Sequence, residues 1–246
     1  MDIKTAGRTL DVFEAFESVK KPTSLSELAS YIGAPISSCH GLVRTLRNRG
    51  YLYSVGGRSL LYPTKRLLEV ATTIAAHDPI LEQLGPYLTA LRDETVETVI
   101  LGKRQDDQIV YLEVVEGLHT IRYAAKPGKI TPLHSGSIGK AMLGVMPPAE
   151  LERFVRETAF ASVTENTLTT ADDLIADIAD GRNRGYFVTR GENVADVMAI
   201  ARPVKAGASH LGIAIAGPLP RMQANVDRYA ESLLAICRRI EKEAAL

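Results

Sequence analysis

"SLSELASYIGAPISSCHGLVRTLRNRGYL", residues 24–52, holds two amphipathic patterns with almost nothing between them. Ser24 followed by Glu27 has the spacing of a capping box, in which the serine side chain takes the glutamate's backbone N–H and the glutamate side chain takes the serine's. Leu25, Leu28, Ala29 and Ile32 then recur at helical spacing, so a helix starts after Ser24 and stops at Gly33. Ala34 and Pro35 alone separate it from a second pattern, Cys39, Leu42, Val43 and Leu46, ended by Gly50. Two helices joined by so short a turn predict a helix-turn-helix.

The flanks complete the unit. Upstream, Ala6, Leu10, Phe13 and Phe16 predict a first helix ending near Ser18. Downstream, "YLYSVGGRSLLYP" (51–63) gives two short β-prone runs around Gly56-Gly57, a hairpin with Arg58 at its tip and Pro63 closing it. These are the parts of a winged helix-turn-helix, whose partner is double-stranded DNA. With Cys39, Leu42, Val43 and Leu46 turned inward, Ser37, Ser38, His40, Gly41, Arg44, Thr45 and Arg47 face out. Small hydrogen-bonding side chains at the tip of such a helix can enter the ~12 Å major groove, and cations further along meet phosphates. The candidate DNA contacts are Arg8, Ser24, Ser37, Ser38, His40, Arg44, Thr45, Arg47 and Arg58, with Arg44 also able to reach a guanine edge.

Charge supports this division. The 246 residues carry 29 Lys and Arg against 29 Asp and Glu, which excludes whole-molecule attraction to nucleic acid or membrane. Residues 1–66, however, hold ten basic and five acidic residues, a net +5, so the rest carries −5. Cys39 and Cys237 fall at apolar helix positions far apart in the chain and read as buried free thiols of a reducing compartment. No signal-peptide pattern opens the chain and no apolar run approaches ~18 residues, so the expected location is the cytoplasm, with no membrane partner.

After Pro63 the spacing predicts a linker helix over 64–78, and from Pro79 helices alternate with strands. A helix is expected over 80–93, and "ETVILGK", "QIVYLEVV" and "TIRYAA" read as three successive strands. "PGKITPLHSGSIGKAML" is a loop entering a helix that stops at Met146. Helices near 148–158 and 171–184, strands near 186–190, 197–204 and 210–217, and one long helix from about 220 to 244 complete an α+β chain. In "LHSGSIGKA" the helix N-terminus offers backbone N–H groups and the positive end of its dipole to a carboxylate. "HSGS" also invites a hydrolase, but adjacent residues of a strand face opposite sides, and neither a G-x-S-x-G elbow nor an orienting acid is present. Catalysis is therefore not expected. Nor is a metal or other cofactor, since His40, His77, His119, His134 and His210 lack ligand spacing with Cys or carboxylates.

In their order and spacing, the segment 24–52, "PLHSGSIGKAML", "RGYFVTRGENVADVMAIARPV" and "LGIAIAGP" resemble the isocitrate lyase regulator (IclR) family of bacterial transcription factors. The resemblance departs at Gly41, where the family usually has arginine, at Arg44, a position more often small, and at Ile36, where a basic residue is common. It implies a winged helix-turn-helix over 1–63, a linker helix over 64–78 and a GAF-like α/β domain over 79–246 that binds effector and oligomerises, giving homodimers or homotetramers. On this resemblance Ser135, Gly136, Ser137 and Ile138 offer backbone contacts to a small organic acid, with Thr189, Ala199 and Ala216 on the opposite wall. The wall is roomier and less polar than in members that take small keto acids. Tyr111, Tyr123 and Phe187 on nearby strands, with Arg122 and Arg190 as carboxylate partners, point toward an aromatic or otherwise bulkier acid. The expected function is a ligand-responsive, sequence-specific regulator of a catabolic operon; the alternative is a small-molecule hydrolase with an accessory basic domain.

Overall fold

A computed structural model describes residues 3–56, 59–207 and 209–244. The chain divides into two compact units, 1–78 and 79–246.

The first unit runs α1 (Lys4–Val19), β1 (Thr23–Ser24), α2 (Leu25–Tyr31), α3 (Ile36–Asn48), β2 (Leu52–Val55), β3 (Leu60–Pro63) and α4 (Arg66–Ala75). The capping box forms: the Ser24 side chain accepts from the Glu27 N–H, and Glu27 Oε2 accepts from the Ser24 N–H at 2.9 Å. The Ser24 hydroxyl also donates to Glu27 Oε2, which holds the Glu27 carboxyl below its ordinary pKa. Leu28, Ala29, Ile32, Cys39, Val43 and Leu46 bury together with Leu52 and Leu61 of the hairpin. In α1 the buried residues are Val12 and Phe16, whereas Ala6 is exposed and Leu10 is 62% exposed, so the inward face is turned from the one the spacing predicts. Phe13 and Phe16 meet Tyr51 and Tyr62 edge-on at 6.1 and 5.8 Å, and that docking selects the face carrying Val12. A third strand, β1, joins the hairpin through Thr23↔Leu61 and Ser24↔Leu60. Two residues are too few for periodicity to reveal.

The second unit holds α5 (Pro79–Thr95), β4 (Thr98–Gln105), β5 (Gln108–Val115), β6 (Ile130–Pro132), α6 (Ser137–Gly144), α7 (Pro148–Glu157), α8 (Ala171–Arg184), β7 (Phe187–Arg190), β8 (Val197–Ala206), β9 (Ser209–Pro218), α9 (Leu219–Ala224) and α10 (Val226–Glu243). One antiparallel sheet has the order β6-β5-β4-β9-β8-β7. Strand alternation gives its faces different characters. One presents Val99, Leu101, Met198, Ile200, Val204, Leu211, Ile213 and Ile215 to Leu84, Leu88, Leu91, Leu233 and Ile236 of α5 and α10. The other presents smaller residues, Ala201, Ala214 and Ala216 with Gly102 and Gly212, toward α6, α7 and α8. A Cβ on Gly212 would strike Cγ2 of Ile138, so this glycine lets α6 lie against the sheet.

The second unit departs from the sequence expectation at two places. "TIRYAA" is not a strand: Thr98 Oγ1 donates to the Tyr123 carbonyl at 2.6 Å and Arg221 Nη2 to the Ile121 carbonyl at 2.9 Å, so side chains take the carbonyls a ladder would need. The strand beside β5 is β6, a three-residue edge further along the chain that Pro132 can end because it needs no further ladder donor. The long C-terminal helix is two, broken at Asn225, whose side chain donates to the Arg221 carbonyl at 2.9 Å.

Candidate functional site

In the first unit α3 is the exposed element. Ser37, Ser38, His40, Arg44, Thr45 and Arg47 are exposed and Gly41 half-buried, because Cys39, Val43 and Leu46 hold the opposite side in the core. The N-cap is Pro35 with no side-chain cap, leaving first-turn N–H groups open beside Ser37 and Ser38, where a phosphate oxygen can be met. A groove between α3 and the hairpin is lined by His40, Arg44, Arg47, Asn48, Tyr53, Ser54 and Ser59. A second, on the other flank of α3, joins Arg8, Thr5 and Thr9 of α1 to Ser38, Arg44 and Thr45. Arg44 thus reaches both grooves. Ser24 stands apart from the other sequence candidates: its hydroxyl is committed to Glu27, at 2.7 Å, and to Ser26, at 3.1 Å. Arg58 lies outside the described residues. Sequence reasoning missed Tyr53, which alternation along β2 turns away from buried Leu52, and Ser54, which is exposed although alternation alone places it on the side of Leu52.

In the second unit a cleft opens where α6 begins. Its walls are Gly136, Ser137 and Ile138 on one side and Ile100, Tyr111, Tyr123, Thr189, Val197, Ala199, Ala214 and Ala216 of the sheet side, with Asn193 and Val194 from the loop after β7. The cavity is about 20 Å³, well below the ~300–1,000 Å³ of ligand pockets, so a ligand has to part its walls. Gly136, Ser137 and Ile138 are buried, yet the N-terminus of α6 has no side-chain cap. A buried helix start without a cap can take an acceptor from a ligand, and the dipole favours an anion. The sheet wall mixes apolar side chains with the hydroxyl-bearing Tyr111 and Thr189. Burial holds the Tyr111 phenol far above its ordinary pKa, so it stays a neutral donor.

Of the sequence candidates, Tyr111, Tyr123, Gly136, Ser137, Ile138, Thr189, Ala199 and Ala216 come together around this cleft. Ser135 lies just behind, its hydroxyl donating to Asn193 Oδ1 at 3.5 Å. Arg122 and Arg190 do not line it. The former pairs with Glu116 at 2.7 Å, and the latter, one residue past Thr189 and so on the other side of β7, donates to Gln223. Phe187 sits in a slot between α6 and α8, where a Cβ on Gly144 or Gly181 would strike its ring. Alternation marks Ala214 and Val197 as same-face neighbours of Ala216 and Ala199; Asn193 and Val194 sit on an irregular loop that periodicity cannot place. His134 and Ser135 do not pair as base and nucleophile: His134 Nε2 lies 3.0 Å from the Ala161 carbonyl and its ring against Phe160.

The loop carrying Asn193 is tied to α6 from behind. Lys140, without solvent exposure, places Nζ 2.8 Å from Asp177 of α8 and 2.5 Å from Glu192, and donates to the Val188 carbonyl at 3.4 Å. Thr164 and Thr167 add hydroxyl bonds to the Gly191 and Glu192 carbonyls.

Similarity to known proteins extends over both units. The IclR helix-turn-helix domain matches residues 5–56 and the C-terminal domain of the bacterial transcriptional regulator IclR matches residues 72–242. The regulator BhcR of Paracoccus denitrificans is 28% identical over 241 residues, spanning 97% of this chain and 86% of its own. The fold is that of the Thermotoga maritima IclR, with TM-score 0.76 at 23% identity over 96% of this chain and 98% of that one. It is also that of an IclR homolog from Microbacterium hydrocarbonoxydans complexed with 4-hydroxybenzoate, with TM-score 0.77 at 20% identity over 97% and 98%. The matched proteins are transcriptional regulators rather than enzymes, and this chain, a DNA-binding regulator built from a winged helix-turn-helix and an α/β domain, belongs to the IclR family.

Proposed function

We propose that the protein is a sequence-specific, ligand-responsive regulator of a catabolic operon, working in the cytoplasm as a homodimer or homotetramer with a small organic acid of single-ring size as effector. The observation that carries the effector class is the start of α6, where buried first-turn N–H groups without a side-chain cap border a cleft lined by no charged side chain. A carboxylate satisfies those groups, and a ring that parts the walls of the narrow cleft packs against Tyr111, Ile100, Val197 and Ala199. The Microbacterium homolog's 4-hydroxybenzoate is a molecule of this kind.

Contacts from Ser37, Ser38 and His40 to base edges, and from Arg8, Arg44 and Arg47 to phosphates, follow from the exposed face of α3 and its two grooves. One recognition helix reads few base pairs, so specificity calls for two-fold pairing. The α4 helix offers a means: none of its residues is buried, and Leu67, Val70, Ala71 and Ile74 share one face.

Fluorescence anisotropy on the DNA upstream of the gene, titrated with aromatic and aliphatic monocarboxylates, tests the reading. A bound acid should change DNA affinity by roughly 5–150-fold, and DNA should change acid affinity by the same factor. Failure of every acid both to bind and to shift DNA affinity would remove the effector claim while leaving the DNA-binding unit in place.

A further inference from the structure

The cleft has a cation behind it that neither the start of α6 nor the DNA-facing surface uses. Lys129 lies opposite Tyr111, whose N–H donates to the Lys129 carbonyl at 2.9 Å. Its Nζ donates to the Tyr123 hydroxyl at 2.9 Å and stands 5.5 Å from the ring centroid. Tyr123 and Tyr111 both line the cleft, as do Gly136, Ser137 and Ile138 at the start of α6.

An ammonium only donates, so the Tyr123 oxygen accepts from Lys129 and the Tyr123 O–H is available to an acceptor in the cleft it lines. A hydroxyl that accepts from a cation is polarised into a stronger donor. The cleft therefore meets its ligand with donors from two sources, the Tyr123 hydroxyl polarised by Lys129 and the backbone N–H groups of Ser137 and Ile138. Both require an acceptor, and the cation makes a charged acceptor the better one.

We infer that Lys129 is the residue that gives the cleft its preference for an anionic effector, a single-ring aromatic carboxylate, over a neutral molecule of the same shape. It acts as a positioning residue, through the hydroxyl of Tyr123 and without touching the ligand. This rests on the acid-binding reading of the cleft.

Isothermal titration of the full-length protein tests it, using benzoate, 4-hydroxybenzoate and phenylacetate, each against its primary amide. For the tightest acid the parent should favour acid over amide by about tenfold or more, the scale of a charge-assisted hydrogen bond. Lys129→Met should bring the ratio close to one by weakening the acid and leaving the amide within about twofold. Lys129→Arg should restore the ratio, and Tyr123→Phe, which breaks the relay but keeps the cation, should abolish it. A ratio that survives Lys129→Met, in a protein with an unchanged unfolding transition, overturns the inference while the acid-binding reading stands. If no acid binds the parent, that reading falls and takes this inference with it.

Discussion

Lys140 is the residue whose loss should be felt most. It is fully buried at the third helical position after Ser137, against two carboxylates that approach Nζ off its N–H directions. Lys140→Met would strand Asp177 and Glu192 together, so we expect destabilisation of about 3–5 kcal/mol by denaturant unfolding. Glu192 has its own signature. Burial raises its pKa more than Lys140 lowers it, so the folded state holds this proton above the ordinary value of 4.5. Folded protein then binds more protons than unfolded, and the contribution present below pH 4.5 is lost as pH rises through the folded-state value. Stability of Glu192→Gln relative to the parent should accordingly rise with pH above 4.5; a flat difference from there to about pH 8 would mean the carboxyl titrates normally. Arg44 and Arg47, exposed and touching no core, should behave oppositely. Alanine at either leaves the unfolding transition alone and lowers the slope of log affinity against log salt by about 0.9 for each phosphate no longer neutralised.

At the scale of elements, the capping box separates a structural serine from a DNA-reading one. Ser24→Ala should cost about 1 kcal/mol, measured as faster amide exchange across α2, with the salt slope unchanged; a smaller slope would return Ser24 to the DNA face. Elements with long regular periods are legible in the sequence. The α2–α3 pair, the hairpin, α5, α7, α8 and strands β4, β5, β7, β8 and β9 all announce themselves by caps, alternation or spacing. What escapes such reading has a common cause: it depends on partners distant in sequence. "TIRYAA" alternates like a strand but gives its carbonyls to Thr98 and Arg221, and Glu97, fully buried, clasps that same Arg221. The cleft is half legible for the same reason. The start of α6 and the alanine wall follow from local pattern, whereas Asn193, Val194 and the Lys129 relay depend on where loops return. Arg122 and Arg190 are cations near the right strands, but side-chain direction, which alternates residue by residue, decides against Arg190, and the pairing with Glu116 takes Arg122.

For the whole molecule, zero net charge conceals a basic DNA-binding unit and an acidic second unit, and a long-range field cannot do the reading. Specificity must come from short contacts repeated by symmetry, which makes α4 the element to test. Leu67, Leu68 and Ile74 are 39%, 63% and 69% exposed, and the polar residues Arg66, Glu69, Thr72 and Thr73 occupy the other side of the helix. A surface helix with a solvated apolar stripe lacks the burial that normally sustains it, and pairing with the same helix of a second copy supplies that burial. Charges placed two helical turns apart, Leu67→Glu with Ile74→Glu, would bring like charges together across a two-fold axis while disturbing nothing buried within the chain. Light scattering should then report a fall in mass, from tetramer to dimer or from dimer to monomer. If the broken pairing is the one that joins two recognition helices, affinity for the native upstream DNA should drop by at least roughly the hundredfold that separates one weak half-site from two linked ones. Unchanged mass would place the oligomer contact elsewhere, and unchanged DNA affinity at reduced mass would show that one winged helix suffices to hold the site.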